Sequence, residues 1–305
     1  VVFNGPVPMT SPTPPDAAPP SGAAPDRTPV TLNLDRVEKS HLAGEGNYLW
    51  KIPLRGGWAV VKVYYGSRSP LLYLKKTFGN VFITGRSSHM PRARCRTEME
   101  SMDRWEKHGF TCFPRYPEVT VEGLPRDGYM VFGWVPGKHF RDYFKDAAIP
   151  LEERMATWRR WLPEWHRRHR VAVETNDNYL IHENGDVKHV MLWQGGFTYF
   201  DFEMVYTSKD VRTLVGREIL AYMRSCGRFF GEETYARMMD ELAAHYPDKA
   251  LLMAAWECAY ADPNRFMRFA RWLDRTLKPG SRKRWSKYQV ARDLKQRLDA
   301  ASLTR

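Results

Sequence analysis

The chain has 305 residues, 43% of them hydrophobic, enough for one large domain or two lobes with a substantial core. No apolar run approaches the roughly 18 residues that would cross a membrane. The four cysteines (Cys95, Cys112, Cys226, Cys258) form no short metal-ligand pattern, so they read as reduced thiols of a cytoplasmic protein. A net charge of +12 and a pI near 9.5 favour an anionic partner, whether nucleotide, acidic lipid, membrane surface or nucleic acid, without choosing among them.

Residues 1–30 are dominated by Pro, Ala, Gly, Ser and Thr and predict a disordered arm, because they cannot bury enough apolar surface to offset chain entropy. From Val30 to Tyr65 the pattern is strand-like. Gly44 and Gly46 stand where backbone could approach a phosphate, or where the chain simply turns. In Trp58-Ala-Val-Val-Lys-Val63 one lysine sits inside an apolar strand. Lys62 therefore either lies at an edge and reaches water, or is buried and needs a partner.

A basic, irregular stretch from Gly66 to Arg94 comes next, then a helix from about Ala93 to His108. Glu98, Met102 and Trp105 fall on one face of that helix, so Glu98 points inward with the apolar residues. It is either the partner of Lys62 or a boundary residue paired with a local arginine. Gly128 to Gly137 reads as a strand ending in Pro-Gly, a linker between a small β-rich lobe and a helical one. The helix from Leu151 carries a core stripe of Leu151, Met155, Trp158, Leu162 and Trp165, with a kink expected at Pro163.

Leu180 to Phe202 reads as a polar loop followed by a hairpin: an apolar run Val190–Trp193, a Gln-Gly-Gly turn, and a second run from Phe197 to Phe200 that delivers Asp201. Beyond it the chain turns helical, with an apolar face of Val211, Leu214, Val215, Ile219 and Met223. Further helices are expected over Glu232–Tyr246 and Ala254–Leu273, the latter divided by Pro263. Lys278 to Tyr288 is a basic linker, either a solvated face or a contact for an anionic membrane or ligand, leading into a last amphipathic helix. There is no internal repeat and no recognisable nucleic-acid module.

The order of these features resembles a protein-kinase-like fold: glycine-bearing strand, strand lysine, helix glutamate, hinge strand, catalytic-loop hairpin, Asp-Phe. Lys62 stands 16 residues after Gly46, and Asp201 stands 12 after His189. His182-Glu-Asn-Gly-Asp-Val-Lys-His189 lies without a gap on the kinase catalytic loop, and Asp201-Phe202-Glu203 lies on its Asp-Phe-Gly. More narrowly, the chain resembles the bacterial lipopolysaccharide-core (Kdo/heptose) kinases. It shares with them a basic insertion between the lysine strand and the Arg-x-Glu helix, a hairpin strand beginning His-Val-Met-Leu, and only a short link from Asp201 to about Val211.

That resemblance implies an α+β, two-lobed fold with a small antiparallel β-rich N-lobe (31–135), a helical C-lobe (136–280) and a basic C-terminal helix (281–305). It implies phosphoryl transfer from ATP, with Mg2+, to a sugar hydroxyl of a lipid-linked glycan, in the cytoplasm or at the inner membrane face. In this reading Gly44, Gly46, Lys62 and Glu98 serve the nucleotide, and Asp201 and His189 the metal. The catalytic loop supplies His182, Asn184 and Asp186. Asn184 occupies the place of the catalytic aspartate and cannot accept a proton. Asp186 is the first choice to replace it, with Glu183 and Asp177 as other nearby acids, though Asp186 beside Gly185 also suits a plain turn. The alternative is a pseudokinase that keeps the fold as a nucleotide-sensing or partner-binding module.

Overall fold

The computed structural model describes residues 27–43, 46–66, 69–260 and 284–303, together with Trp272 and Thr276. Most of the expected N-terminal arm, Gly44, most of the 278–288 linker and the stretch around Pro263 lie outside the described residues. Among the described residues no helix is long and apolar enough to cross a membrane.

The N-terminal part is built on a four-stranded antiparallel sheet in the order β2 (Ser40–Ala43), β3 (Tyr48–Leu54), β4 (Gly57–Val63), β6 (Tyr129–Gly133). A two-stranded parallel pair, β1 (Val30–Leu32) with β5 (Val119–Val121), forms a separate small sheet. The β3–β4 turn places Arg55 and Gly56 at φ of 53° and 73°, the two left-handed residues that a tight hairpin with right-handed strand twist requires.

β4 is central, and Ala59 to Val63 are all buried. The period of two sorts them. Ala59, Val61 and Val63 enter a small core with Ile52, Val119 and Val131, whereas Val60 enters the main core on the opposite face. Lys62 shares the face of Val60 and points toward the second half of the molecule. It is therefore not an edge lysine.

The stretch expected to be irregular contains α1 (Pro70–Phe78), capped by Ser69 and opened by proline, and a π-helical turn Gly79–Thr84. α2 (Pro91–Lys107) follows and buries Arg94, Glu98, Met102 and Trp105.

The C-terminal part is helical around a small three-stranded sheet, β7 (Lys138–His139), β8 (Val190–Trp193) and β9 (Gly196–Tyr199). The β8–β9 hairpin turns on Gln194 and Gly195, again both left-handed at φ of 49° and 75°. After the short α3 (Phe140–Lys145), α4 (Leu151–Thr175) continues through Pro163 as one helix. Proline removes one backbone bond. The buried indoles of Trp158, Trp161 and Trp165, stacked along the helix with the last two rings 4.5 Å apart, hold its course.

α5 (Val211–His245) is interrupted at Gly231, whose φ of 78° breaks the helix just ahead of the second helix expected from Glu232. α6 (Lys249–Tyr260) and α7 (Lys287–Leu303) pack against it. The chain is thus α+β and two-lobed.

A buried ionic hub fixes the loop between α4 and β8. Glu218 of α5 accepts from Arg168 Nη1 at 3.0 Å, from the Trp165 indole at 2.8 Å and from the backbone N–H of His182 at 2.7 Å. Burial works against its charge, yet Arg168 and His169 hold the carboxyl far below the usual carboxylate range.

Candidate active site

Lys62 Nζ lies 2.6 Å from Glu98 Oε2, both side chains buried. Tyr64 O–H donates to the same oxygen at 2.5 Å. Burial disfavours both charges and pushes the Glu98 carboxyl up. The three carboxylates around Lys62 (Glu203, Glu98 and Asp201) outweigh burial and raise the ammonium above its ordinary value. The 2.6 Å contact keeps the pair ionic.

Asp201 sits at the end of the β8–β9 hairpin with φ of 71°, a conformation that Asp tolerates better than most residues. Its Oδ1 is 3.8 Å from Lys62 Nζ. Its Oδ2 accepts from Asn184 Nδ2 at 2.6 Å and faces His189 Nε2 at 3.2 Å. Burial would raise this carboxyl, but His189, Lys62 and His182 together with the Asn184 hydrogen bond hold it at about 2. It is an anion throughout the physiological range.

His189 Nδ1 lies 2.8 Å from the Asn184 carbonyl oxygen. A carbonyl only accepts, so Nδ1 carries the proton, and Nε2 of a neutral ring turns its lone pair toward the Asp201 carboxylate. Two electron-rich atoms 3.2 Å apart call for a positive charge between or on them, either a proton on Nε2 or a cation. The carboxylate and the imidazole with its tautomer fixed from behind fit a divalent cation. Among the described residues no group of three or more His, Cys, Asp or Glu is placed to hold a metal ion. The protein thus offers two strong donors, in keeping with a cation completed by phosphate and water oxygens.

Glu203 does more than fill the third place of Asp-Phe-Glu. Its carboxylate lies 2.7 Å from Lys62 Nζ and 2.7 Å from the guanidinium of Arg94, and it accepts from the Asn47 amide. Arg94 also reaches the Gly46 carbonyl at 3.3 Å and bonds Asn47. Gly46 is thus tied to α2 through Arg94. Gly66 lies so close that a Cβ there would come 2.7 Å from the Gly46 backbone.

The other catalytic-loop residues divide. His182 is fully enclosed, with its ring 5.1 Å from Phe202 and its Nδ1 2.7 Å from Tyr222 Oη. Burial first, then His189, lowers its pKa to about 4, so it is neutral and serves as packing behind Phe202. Asp186 turns away from the site. Its Oδ1 accepts from Ser225 Oγ at 2.7 Å and caps the turn at Lys188 N at 3.0 Å, while Oδ2 lies 3.5 Å from Arg228.

Of the catalytic-loop acids, the one that lines the cavity is Glu183. It is buried, 2.5 Å from Arg86 Nε, with its carboxyl raised by burial against the pull of Arg86. The cavity holds about 350 Å³ and is bounded by Lys76, Asn80, Arg86, Glu183, Asn184, Asp201 and Glu203, among others. Asp177 caps the turn at Tyr179 N and pairs with Arg104 at 3.0 Å.

Lys62, Glu98, Asn184, His189 and Asp201 therefore converge, and His182 and Asp186 lie behind the loop that presents them. Arg94 and Asn47 went unnoticed in the sequence. Arg94 stands four residues before Glu98 on the same helix face, and that spacing was the available signal.

No protein-family model matches the chain, and no curated protein matches it. Two solved structures are similar to it at 11% identity. One is WaaP in complex with acyl carrier protein, with a TM-score of 0.41 over 79% of this chain and 88% of that one. The other is a Plasmodium vivax ethanolamine kinase, with a TM-score of 0.37 over 88% of this chain and 82% of that one. At these values neither likeness decides an activity or a substrate.

Proposed function

We propose that the chain is an ATP-dependent phosphotransferase acting on a sugar hydroxyl of a lipopolysaccharide core or a related glycan or small molecule. The observation that carries this reading is the buried Lys62–Glu98 pair at 2.6 Å, aimed at Asp201 beside a polar cavity. A lysine fixed by a glutamate, next to a carboxylate held anionic at about 2, is what positioning of a nucleotide's phosphates requires. The cavity wall of asparagine, lysine, arginine and carboxylate suits a hydroxyl-rich acceptor of about sugar size.

Lys62 holds the α- and β-phosphates, and Glu98 holds Lys62. Asp201 and His189 hold the divalent cation, and Asn184 orients Asp201. When bound, Mg2+ supplies neutralisation of phosphate charge. Glu183 takes the place of the missing aspartate. It orients the acceptor hydroxyl and accepts its proton as the oxygen–phosphorus bond forms and the bond to ADP breaks. Asp186 shapes the loop from behind. The raised Glu183 carboxyl is better matched to accepting a proton than an ordinary carboxylate.

The pseudokinase reading is favoured by a different observation, that Asn184 donates to Asp201 and offers no base. One set of experiments separates the two. ATP binding is measured by calorimetry with and without Mg2+, on wild type and Lys62→Ala, and turnover on core-sugar acceptors is then assayed with wild type and Glu183→Gln. Metal-dependent binding lost in Lys62→Ala, with turnover lost in Glu183→Gln, supports the kinase. Binding without turnover on such acceptors favours the pseudokinase, and no nucleotide binding sinks both.

A further inference from the structure

The segment between β4 and α2 has two unlike faces. On its inner side Lys76 and Asn80, one helical turn apart, border the cavity. Tyr73 is buried, and its hydroxyl accepts from Gly66 N at 3.1 Å. Thr77 Oγ1 accepts from His89 N at 3.1 Å, and Arg86 N donates to the Asn80 carbonyl at 2.9 Å. Ser87 N then donates to Val205 O at 2.8 Å, just past the Asp201-Phe202-Glu203 run. The element is firmly held from within.

Its outer side is apolar and bare. Leu71, Leu74, Phe78 and Phe82 follow at spacings of three and four, and Ile83 adjoins them. Leu71, Phe82 and Ile83 are 75%, 74% and 76% exposed, and the Phe78 and Phe82 rings touch with centroids 4.9 Å apart. Isolated exposed leucines need no explanation, but a continuous ridge of five large apolar side chains on a well-anchored element does. The segment's own charges have one sign, although Arg86 and Arg92 are paired with Glu183 and Asp127. From Gly66 to Thr97 there is no Asp or Glu, whereas Lys75, Lys76, Arg86, Arg92 and Arg96 are all present.

We propose that this ridge is a membrane-docking surface for an anionic lipid bilayer, with Leu71, Leu74, Phe78, Phe82 and Ile83 entering the interface and Lys75 meeting lipid phosphates. At nine residues α1 is far too short to span, and a helix with an apolar stripe flanked by lysines lies in the interfacial plane. Docking by the outer face leaves the inner face on the cavity side, so the cavity that would take the acceptor lies about one helix diameter from the headgroups. That last point rests on the phosphotransfer reading. The docking itself does not.

The test is sedimentation of the protein with vesicles of pure phosphatidylcholine and with vesicles containing 30% phosphatidylglycerol (about a third anionic lipid) at low and high salt. Wild type is expected to bind the anionic vesicles and to be released by salt. Phe82→Ser with Ile83→Ser, and separately Leu71→Ser, are expected to lower the partition coefficient about tenfold or more, and Lys75→Glu at least fivefold. These are exposed positions, and calorimetric nucleotide binding by the same variants, expected unchanged, certifies their folding. No binding of wild type to anionic vesicles overturns the proposal. So does concentration-dependent dimerisation abolished by Phe82→Ser, which would make the ridge a contact between two copies. Vesicle binding by a wild type that binds no nucleotide would instead sink the phosphotransfer reading alone.

Discussion

Lys62 Nζ lies 2.7 Å from Glu203 and 3.8 Å from Asp201, so the lysine is bound more tightly to the third residue of the Asp201-Phe202-Glu203 run than to the first. A nucleotide phosphate that takes up Lys62 must displace a carboxylate already there. Glu203→Gln is expected to tighten metal-free ATP binding about fivefold, read by calorimetry. It is also expected to lower folding stability by about 2 kcal/mol, because the buried Arg94 loses its ionic partner. Weaker nucleotide binding in the variant would instead assign Glu203 a positive part in holding the ligand.

Breaking the buried pair should cost more than replacing it. Lys62→Met leaves Glu98, Glu203 and Asp201 around an apolar group, and a loss of about 3 kcal/mol is expected in denaturant unfolding. Adding Glu98→Leu is expected to recover more than half of that loss. Simple additivity of the two substitutions would show that the pair is not coupled in the fold.

Glu183 and Asp186 are three residues apart and predict opposite phenotypes. Glu183→Gln is expected to lower kcat by about 10²-fold or more with little change in nucleotide affinity. Asp186→Ala removes the acceptor for Ser225 and the cap at Lys188, and is expected to cost about 1–2 kcal/mol of stability while leaving most of kcat. Because burial raises the Glu183 carboxyl, the acid limb of the kcat profile in wild type should lie above the ordinary glutamate range. A pH–rate series on wild type reads this directly, and a limb at the ordinary value would remove Glu183 from the role.

His182 makes the fold acid-sensitive. Its folded pKa of about 4 lies below the ordinary 6.5, so between those values the unfolded chain binds a proton that the folded chain refuses. Its neutral burial is tolerated in full above pH 6.5, and stability falls as pH drops from 6.5 toward 4, by on the order of 3 kcal/mol. Urea unfolding at pH 7 and pH 4.5 checks this, with His182→Gln expected to flatten that part of the slope.

The lysine strand, the inward glutamate and the hairpin were readable because each rests on a local pattern: an apolar run around one lysine for β4, the 3.6 period for α2, and two runs about a glycine turn for β8–β9. The orientation of Asp186 was not readable. A turn acid faces whichever hydroxyl and N–H the neighbouring helix brings, and Ser225 is 39 positions away. The helix α1 was missed for a different reason. Ser69-Pro70 is a sound helix start, but the apolar stripe behind it faces outward, and nothing in a stripe says which side is core. Glu203 looked like a mere substitute for glycine because its partners Arg94 and Asn47 come from remote parts of the chain.

The run Thr111–Tyr116 is stitched to both halves of the molecule. Thr111 O receives the amide of Tyr199 in β9 at 3.1 Å. Pro114 O receives that of Gly133 at 2.8 Å, and the amide of Tyr116 reaches Val131 O at 2.9 Å, both in β6. Six residues of backbone thus serve as a common binding, like the spine of a book whose covers are the two lobes. Covers joined this way cannot slide past one another without breaking backbone hydrogen bonds on one margin or the other.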